Sequence, residues 1–157
     1  MRRITCSELL DEDRGTPRDI QNSLDDLWRI NRWLGGVTSS LRLLEGVWAR
    51  AEVHPVRILD VGAGDARLAV HLQMELRKRG VRAEFTVLDR HVTHLRNGHR
   101  SAAVPQSVVA DALALPFAEG SFNVVMCNLF FHPFFGPTRR ATFVAVGGDC
   151  ERGSGDQ

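Results

Sequence analysis

Cysteine is scarce in this chain, and its placement is uninformative for bridging. Cys6, Cys127 and Cys150 are odd in number and far apart, with no C-x-x-C pair. Neither a disulfide framework nor a zinc site is indicated, and a reducing, cytoplasmic setting is expected. Long apolar runs are missing too: nothing approaches the ~18 residues of a membrane span. The opening "MRRITCSELLDEDRG" has acids where an export signal needs an apolar stretch, so no membrane association is expected. Charge of one sign is lacking as well. The 20 Lys and Arg against 19 Asp and Glu are mixed along the chain, without the basic stripe of a nucleic-acid binder. Arg2, Arg3, Arg139 and Arg140 are too few and too separated to form one. No internal repeat is visible. His91 and His94 share a helix face, but no third ligand near them completes a metal set.

What the chain does have is a regular alternation of helical and extended patterns. Ile20, Leu24, Leu27, Trp28 and Leu34 fall on one face of a helix that Asp19 could cap and Gly35 and Gly36 could stop. A second helix, expected from Thr38 or Ser39, buries Leu41, Leu44, Val47 and Trp48. "VRILDV" from Val56 is an apolar, β-branched run without helical period, as in a strand covered on both faces. A helix with Leu68, Leu72 and Leu76 follows, capped by Asp65 and closed by Lys78, Arg79 and Gly80. "EFTVLD", a short helix over Val92 to His99, "SVVAD" and "FNVVMCNLFF" continue the pattern. Such an alternation predicts an α/β fold with a mainly parallel sheet and right-handed crossovers. The expected divisions are a helical lead-in over 1–52, a core over 53–135 and an irregular tail over 136–157, in which "ATFVAV" could add one strand.

In a parallel sheet ligands sit at the carboxyl ends of the strands. Asp60, Asp89 and Asp111 all fall there, beside a turn on Gly62 and Gly64 that exposes bare backbone. An acid ending the second strand can accept both hydroxyls of a ribose, which makes Asp89 the nucleoside candidate. Each acid alone could equally be a solvated turn residue. The dinucleotide fingerprint G-x-G-x-x-G is incomplete, because Asp65, Ala66 and Arg67 follow Gly64. Asp65 also places negative charge where a pyrophosphate would sit, which disfavours an NAD(P)-dependent oxidoreductase. A phosphate-free nucleoside bearing a positive group fits better. S-adenosyl-L-methionine is such a ligand, and Asp60 could neutralise its ammonium.

With "LDVGAGDARL", "VLDR" and "VVADALALPFAEGSFNVVMCNLFFHPF" in this order, the chain resembles the S-adenosylmethionine-dependent methyltransferases of Rossmann-like fold. The resemblance runs from Val56 to about His132 and implies a three-layer α/β/α domain with that cofactor. It implies that Asp60, Gly62 and Gly64 hold the methionyl end and Asp89 the ribose, with Arg90 flanking the adenine. Asp111 and Ala112 would face the adenine ring, and Asn128 would lie near the methyl-transfer position. "SLDDLWRINRWLGG" is similar to a helical lead-in that covers the cofactor in some of these enzymes, though Trp28 and Trp33 could be ordinary packing.

Two positions depart from the family pattern: Ala66 stands where a third glycine is frequent, and Asn123 where Asp is frequent. A domain of this kind normally continues with about three more strands, so the C-terminal strands are expected to be missing by truncation or frame shift. The fourth strand would then be an uncovered edge. Methyl transfer depends largely on positioning, and no catalytic residue is assigned. His132 could accept a proton or merely end its strand. A small-molecule acceptor is expected, the alternative being a remnant that binds without catalysis. The acceptor's identity and the oligomeric state are not fixed by the residues.

Overall fold

The computed structural model describes residues 15–49, 55–98, 105–128 and 143–146. Helix α1, Pro17–Trp33, starts with a capping box. The Thr16 hydroxyl accepts from Asp19 N–H at 3.3 Å, and the Asp19 carboxylate accepts from Thr16 N–H at 3.0 Å. Asp19 is therefore the third helical residue and not the cap, because the shorter Thr16 side chain reaches the first free N–H groups. The Thr16 bonds hold the Asp19 carboxyl below its ordinary range. One left-handed residue, Gly35 at φ 79°, turns the chain into α2, Gly36–Trp48. That single residue suffices for the turn, so α2 begins two positions before Thr38.

Strands β1, Val56–Val61, and β2, Ala83–Asp89, flank α3, Arg67–Lys78. After α4, Val92–Gly98, come β3, Gln106–Val109, β4, Val124–Cys127, and β5, Phe143–Val146. The sheet order is β3-β2-β1-β4-β5. The first four strands are parallel, with Ile58 opposite Phe85 and Val124, and β5 is antiparallel to β4. The expected α/β fold and mainly parallel sheet are thus observed. β5 pairs with β4 from within the stretch expected to be irregular, so β4 is not the sheet edge.

Strand residues alternate between faces. Val56, Ile58, Phe85, Val87, Val124 and Met126 meet a helical layer made by Val37, Leu41 and Leu44 of α2, Leu68, Leu72 and Leu76 of α3, and Leu95 of α4. Leu59, Val61, Leu88 and Cys127 face the other way, toward Phe117 and Phe122 of the β3–β4 segment. Those two rings pack edge to face at 4.9 Å. Asn123, one of the two departures, extends the β1–β4 ladder: it accepts from Arg57 N–H at 2.9 Å and donates its own N–H to Arg57 C=O at 2.9 Å. No described helix is long and apolar enough to cross a membrane.

The alternation has a consequence at the end of β1. Asp60 follows Val56 and Ile58 on the helix-facing side, and Asp89 follows Phe85 and Val87 on the same side. Both carboxylates are thereby buried, Asp60 to 2% exposure and Asp89 to 8%.

Candidate functional site

The turn after β1 adopts three left-handed conformations, at Gly62 (φ 70°), Gly64 (φ 56°) and Ala66 (φ 62°). Gly62 and Ala63 donate their N–H groups to Leu88 C=O, at 2.8 and 3.1 Å, which ties the turn to the end of β2. A Cβ on Gly64 would lie 3.2 Å from Leu24 Cδ2, so glycine also lets α1 rest on the turn. Ala66 occupies a backbone region that favours glycine, which gives a physical reason for a third glycine at this position. Ala66 is also the cap position of α3, and Asp65 lies one residue before it. Asp65 is therefore not the helix cap expected from the sequence. Its Oδ1 accepts from Arg67 N–H at 3.3 Å.

Between this turn and α1 lies an open cleft lined by Asp60, Gly62, Gly64, Asp65, Arg67 and Asn128, with Leu24, Leu27, Trp28 and Asn31 as its roof. Asp60 Oδ2 is buried without a hydrogen-bond partner. Burial pushes the Asp60 carboxyl up to about 7, and the neighbouring Asp89 charge adds to the effect. Burial also raises Asp65, against the opposing pull of Arg67. Asp25 on α1 is held below its ordinary value although burial acts to raise it, because Gln21 and Arg67 bond to its carboxylate.

Arg67 connects the turn to the roof. Its Nη1 lies 2.7 Å from Asp25 Oδ1 and its Nε 2.5 Å from Asp65 Oδ2. The guanidinium carbon is 6.0 Å from the centre of the Trp28 ring, which lies 5.8 Å, centre to centre, from the His71 ring in a T-shaped arrangement. At the far end of the cleft, Asn128 Nδ2 donates to Asn31 Oδ1 at 2.9 Å. Gly36 makes room for this pair: a Cβ there would fall 1.8 Å from Asn31 Oδ1.

The structure thus gathers Asp60, Gly62, Gly64 and Asn128 around one cleft. Asp89 stands next to it, its Oδ2 accepting from Gly64 N–H at 2.8 Å and its Oδ1 from His91 N–H at 2.9 Å. His94 Nδ1 lies 3.4 Å from Asp89 Oδ1. A carboxylate has about four acceptor sites, so beside these three neighbours Asp89 retains capacity for a further donor. Arg90, Asp111 and Ala112 do not line the cleft. Arg90 and Asp111 are exposed, Asp111 accepts from Leu113 N–H at 2.9 Å in a local turn, and Ala112 packs on the second core cluster. His132 lies outside the described residues. Among the described residues no group of three potential ligands could hold a metal ion.

Sequence reasoning missed Asn31 and Arg67. Asn31 carried a signal, a polar residue three positions after Trp28 and seven after Leu24 on the apolar face of α1. Arg67 carried none, because its partner Asp25 is 42 residues away in the chain.

A family profile described as "Methyltransferase domain" matches residues 58–146. The chain belongs to the methyltransferase domain family. The matched stretch takes in the glycine turn and runs to the end of β5, whereas α1 and α2 precede it. The malonyl-[acyl-carrier protein] O-methyltransferase of Halorhodospira halophila is 37% identical over 91 residues, 56% of this chain and 29% of that protein. The mitochondrial arginine-hydroxylase NDUFAF5 of Danio rerio is 34% identical over 91 residues, 58% of this chain and 26% of that protein. The matches span less than a third of either relative's length. Among solved structures, the plantazolicin methyltransferase BpumL, in complex with a monoazolic desmethylPZN analog and SAH, superimposes with a TM-score of 0.59. That likeness covers 82% of this chain and 47% of the other at 18% identity, and it is a likeness of fold.

Proposed function

We propose that this chain binds S-adenosylmethionine in the cleft between α1 and the glycine turn and transfers its methyl group to a small-molecule acceptor. The observation that carries the reading is the buried, unpartnered Oδ2 of Asp60, which lines the cleft beside backbone exposed at Gly62 and Gly64. A buried carboxylate without a partner is costly, and an ammonium group placed against it removes that cost. A structure of the same fold holding SAH, and a relative named as an O-methyltransferase, support the choice of cofactor.

In this reading Asp60, Gly62 and Gly64 hold the methionyl end, and Asp89 the ribose diol. Arg90 flanks the adenine, and Asp111 and Ala112 face it once the β3–β4 segment closes over the ligand. Asn128, fixed by Asn31, lies beside the reacting methyl. When bound, the cofactor supplies an electrophilic methyl group on a sulfonium. The protein's share is to orient the acceptor in line with that methyl, which by itself accounts for a large part of such a rate. Leu24, Leu27 and Trp28 lay apolar side chains over one side of the cleft.

Calorimetry with S-adenosylmethionine, S-adenosylhomocysteine and NAD tests the cofactor. Binding of the first two is expected, and tight binding of NAD alone overturns the reading. A second reading, cofactor binding without methyl transfer, is favoured by one finding: a relative at 34% identity carries the name of a hydroxylase. Transfer of a labelled methyl group from S-adenosylmethionine to an acceptor panel separates the two.

A further inference from the structure

Asp89 presents its two oxygens to different elements. Oδ2 faces the glycine turn, where it accepts from the N–H of Gly64, a residue that lines the cleft. Oδ1 faces α4, where it accepts from His91 N–H and has the ring nitrogen Nδ1 of His94 at 3.4 Å. His91 and His94 belong to no metal set, yet the fold packs them together behind this carboxylate, their ring centres 4.9 Å apart and the planes tilted by 46°. His94 is almost fully buried, and its neighbour Leu95 is part of the helix-facing core. The ring therefore cannot leave Oδ1 without unpacking α4.

Acceptor capacity then differs between the two oxygens. Each carboxylate oxygen accepts about two donors. Oδ2 holds one, from Gly64, and has room for another on the side of the cleft. Oδ1 holds one, from His91, and the imidazole fills its second approach. A hydroxyl has to come within about 2.8 Å of an oxygen to donate to it, and a ring atom already in contact leaves no space for one. We propose that His94 closes Oδ1 of Asp89 to the ligand, so that Asp89 reads one ribose hydroxyl through Oδ2 and leaves the other unread. The inference rests on the cofactor reading above and narrows its diol contact to a single hydroxyl. His94 acts through Asp89 and not on the ligand, which makes it a positioning residue that sets specificity. A nucleoside altered at the unread hydroxyl is therefore accepted, and one altered at the other is refused.

The probes are S-adenosylhomocysteine and its two monodeoxy analogues, each lacking one ribose hydroxyl, with affinities measured by calorimetry. The wild-type chain is expected to bind one analogue roughly tenfold or more weakly than S-adenosylhomocysteine and the other less than about threefold more weakly, as when one hydroxyl of two meets a charged acceptor. His94→Ala opens Oδ1, so both analogues are then expected to bind roughly tenfold more weakly than the intact ligand. His94→Asn, whose amide nitrogen takes the place of Nδ1, is expected to keep the wild-type pattern. Equal losses for the two analogues in the wild type, or no loss for either, overturn the inference and leave the cofactor reading standing. A one-hydroxyl pattern that persists in His94→Ala overturns the role of His94. Failure of the wild type to bind S-adenosylhomocysteine overturns both readings. The wild-type comparison needs no variant, so it decides the one-hydroxyl contact even where His94→Ala does not fold.

Discussion

Asp60, near the carboxyl end of β1, and Asp111, just after β3, stand in opposite physical situations. Asp60 is 2% exposed with an oxygen lacking any partner, whereas Asp111 is exposed and already bonded to Leu113 N–H. The first is costly to keep and has no local reason to exist; the second is a self-sufficient turn residue. Asp89 lies between them, buried but satisfied by Gly64 and His91 N–H groups. The contrast teaches that position at a strand end does not make an acid part of a site. An unmet electrostatic need does, and it identifies the inner end of the cleft as the part built for a ligand.

The sharpest way to break this comparison is Asp60→Asn. Burial pushes the Asp60 carboxyl up to about 7 in the folded chain, well above the ordinary aspartate value, so ionisation favours the unfolded state. Its contribution to stability is therefore unperturbed below pH ~4, falls as pH rises from there to ~7, and stays low above that. The amide removes the penalty. Urea unfolding at pH 8 is expected to show Asp60→Asn more stable than the wild type by up to about 4 kcal/mol, with the difference shrinking toward pH 4.5. The same variant is expected to lose most S-adenosylhomocysteine affinity. A gain equal at both pH values, or unchanged affinity, removes Asp60 from the argument.

Next in size is Asp89→Ala, expected to weaken S-adenosylhomocysteine binding by roughly 1 to 3 kcal/mol, as on losing hydrogen bonds to a charged acceptor. Unlike Asp60→Asn it lowers stability at neutral pH, because Gly64 and His91 N–H lose their acceptor. Opposite signs of the stability change at two adjacent buried acids would sharpen the distinction between an unmet and a met carboxylate. Smaller again is Asp111→Ala, expected to cost about 0.5 kcal/mol of stability and 1 kcal/mol or less of affinity measured by calorimetry. An effect as large as that of Asp89→Ala would show the β3–β4 segment closing on the ligand and would erase the difference between the two ends.

The strands, the α3 stripe of Leu68, Leu72 and Leu76, and the turn at Gly62 and Gly64 were legible because each rests on residues adjacent in the chain. The roof was legible only through the resemblance. By themselves Trp28 and Leu24 read equally as helix packing, and the Arg67 bridge joins residues that no local pattern relates. Helix starts were misplaced by a few residues for a different reason. Thr16 outcompetes Asp19 as a cap, and Ala66 takes the left-handed cap position that Asp65 resembled. The strand-end acids were legible as a group but not as individuals, since burial and hydrogen bonding separate Asp60 from Asp111 and neither is written in a one-letter code.

The smallest effect belongs to Ala66→Gly, which would restore the glycine that the sequence lacks. Three contributions compete at this residue. A left-handed alanine costs roughly 1 kcal/mol, which glycine relieves. Glycine in turn loses ~0.4 to 1 kcal/mol more through backbone entropy. The alanine methyl is also almost fully buried, and removing it forfeits up to ~0.8 kcal/mol. The sum lies within about 1 kcal/mol of zero, so thermal unfolding of Ala66→Gly is expected to match the wild type closely. Its S-adenosylhomocysteine affinity should likewise stay within about twofold, because the ligand meets Asp60 and the bare backbone at Gly62 and Gly64, none of which depends on the alanine methyl. A tenfold gain in affinity would show instead that alanine distorts the turn, and would make the inner end of the cleft less fully formed than its contrast with Asp111 implies.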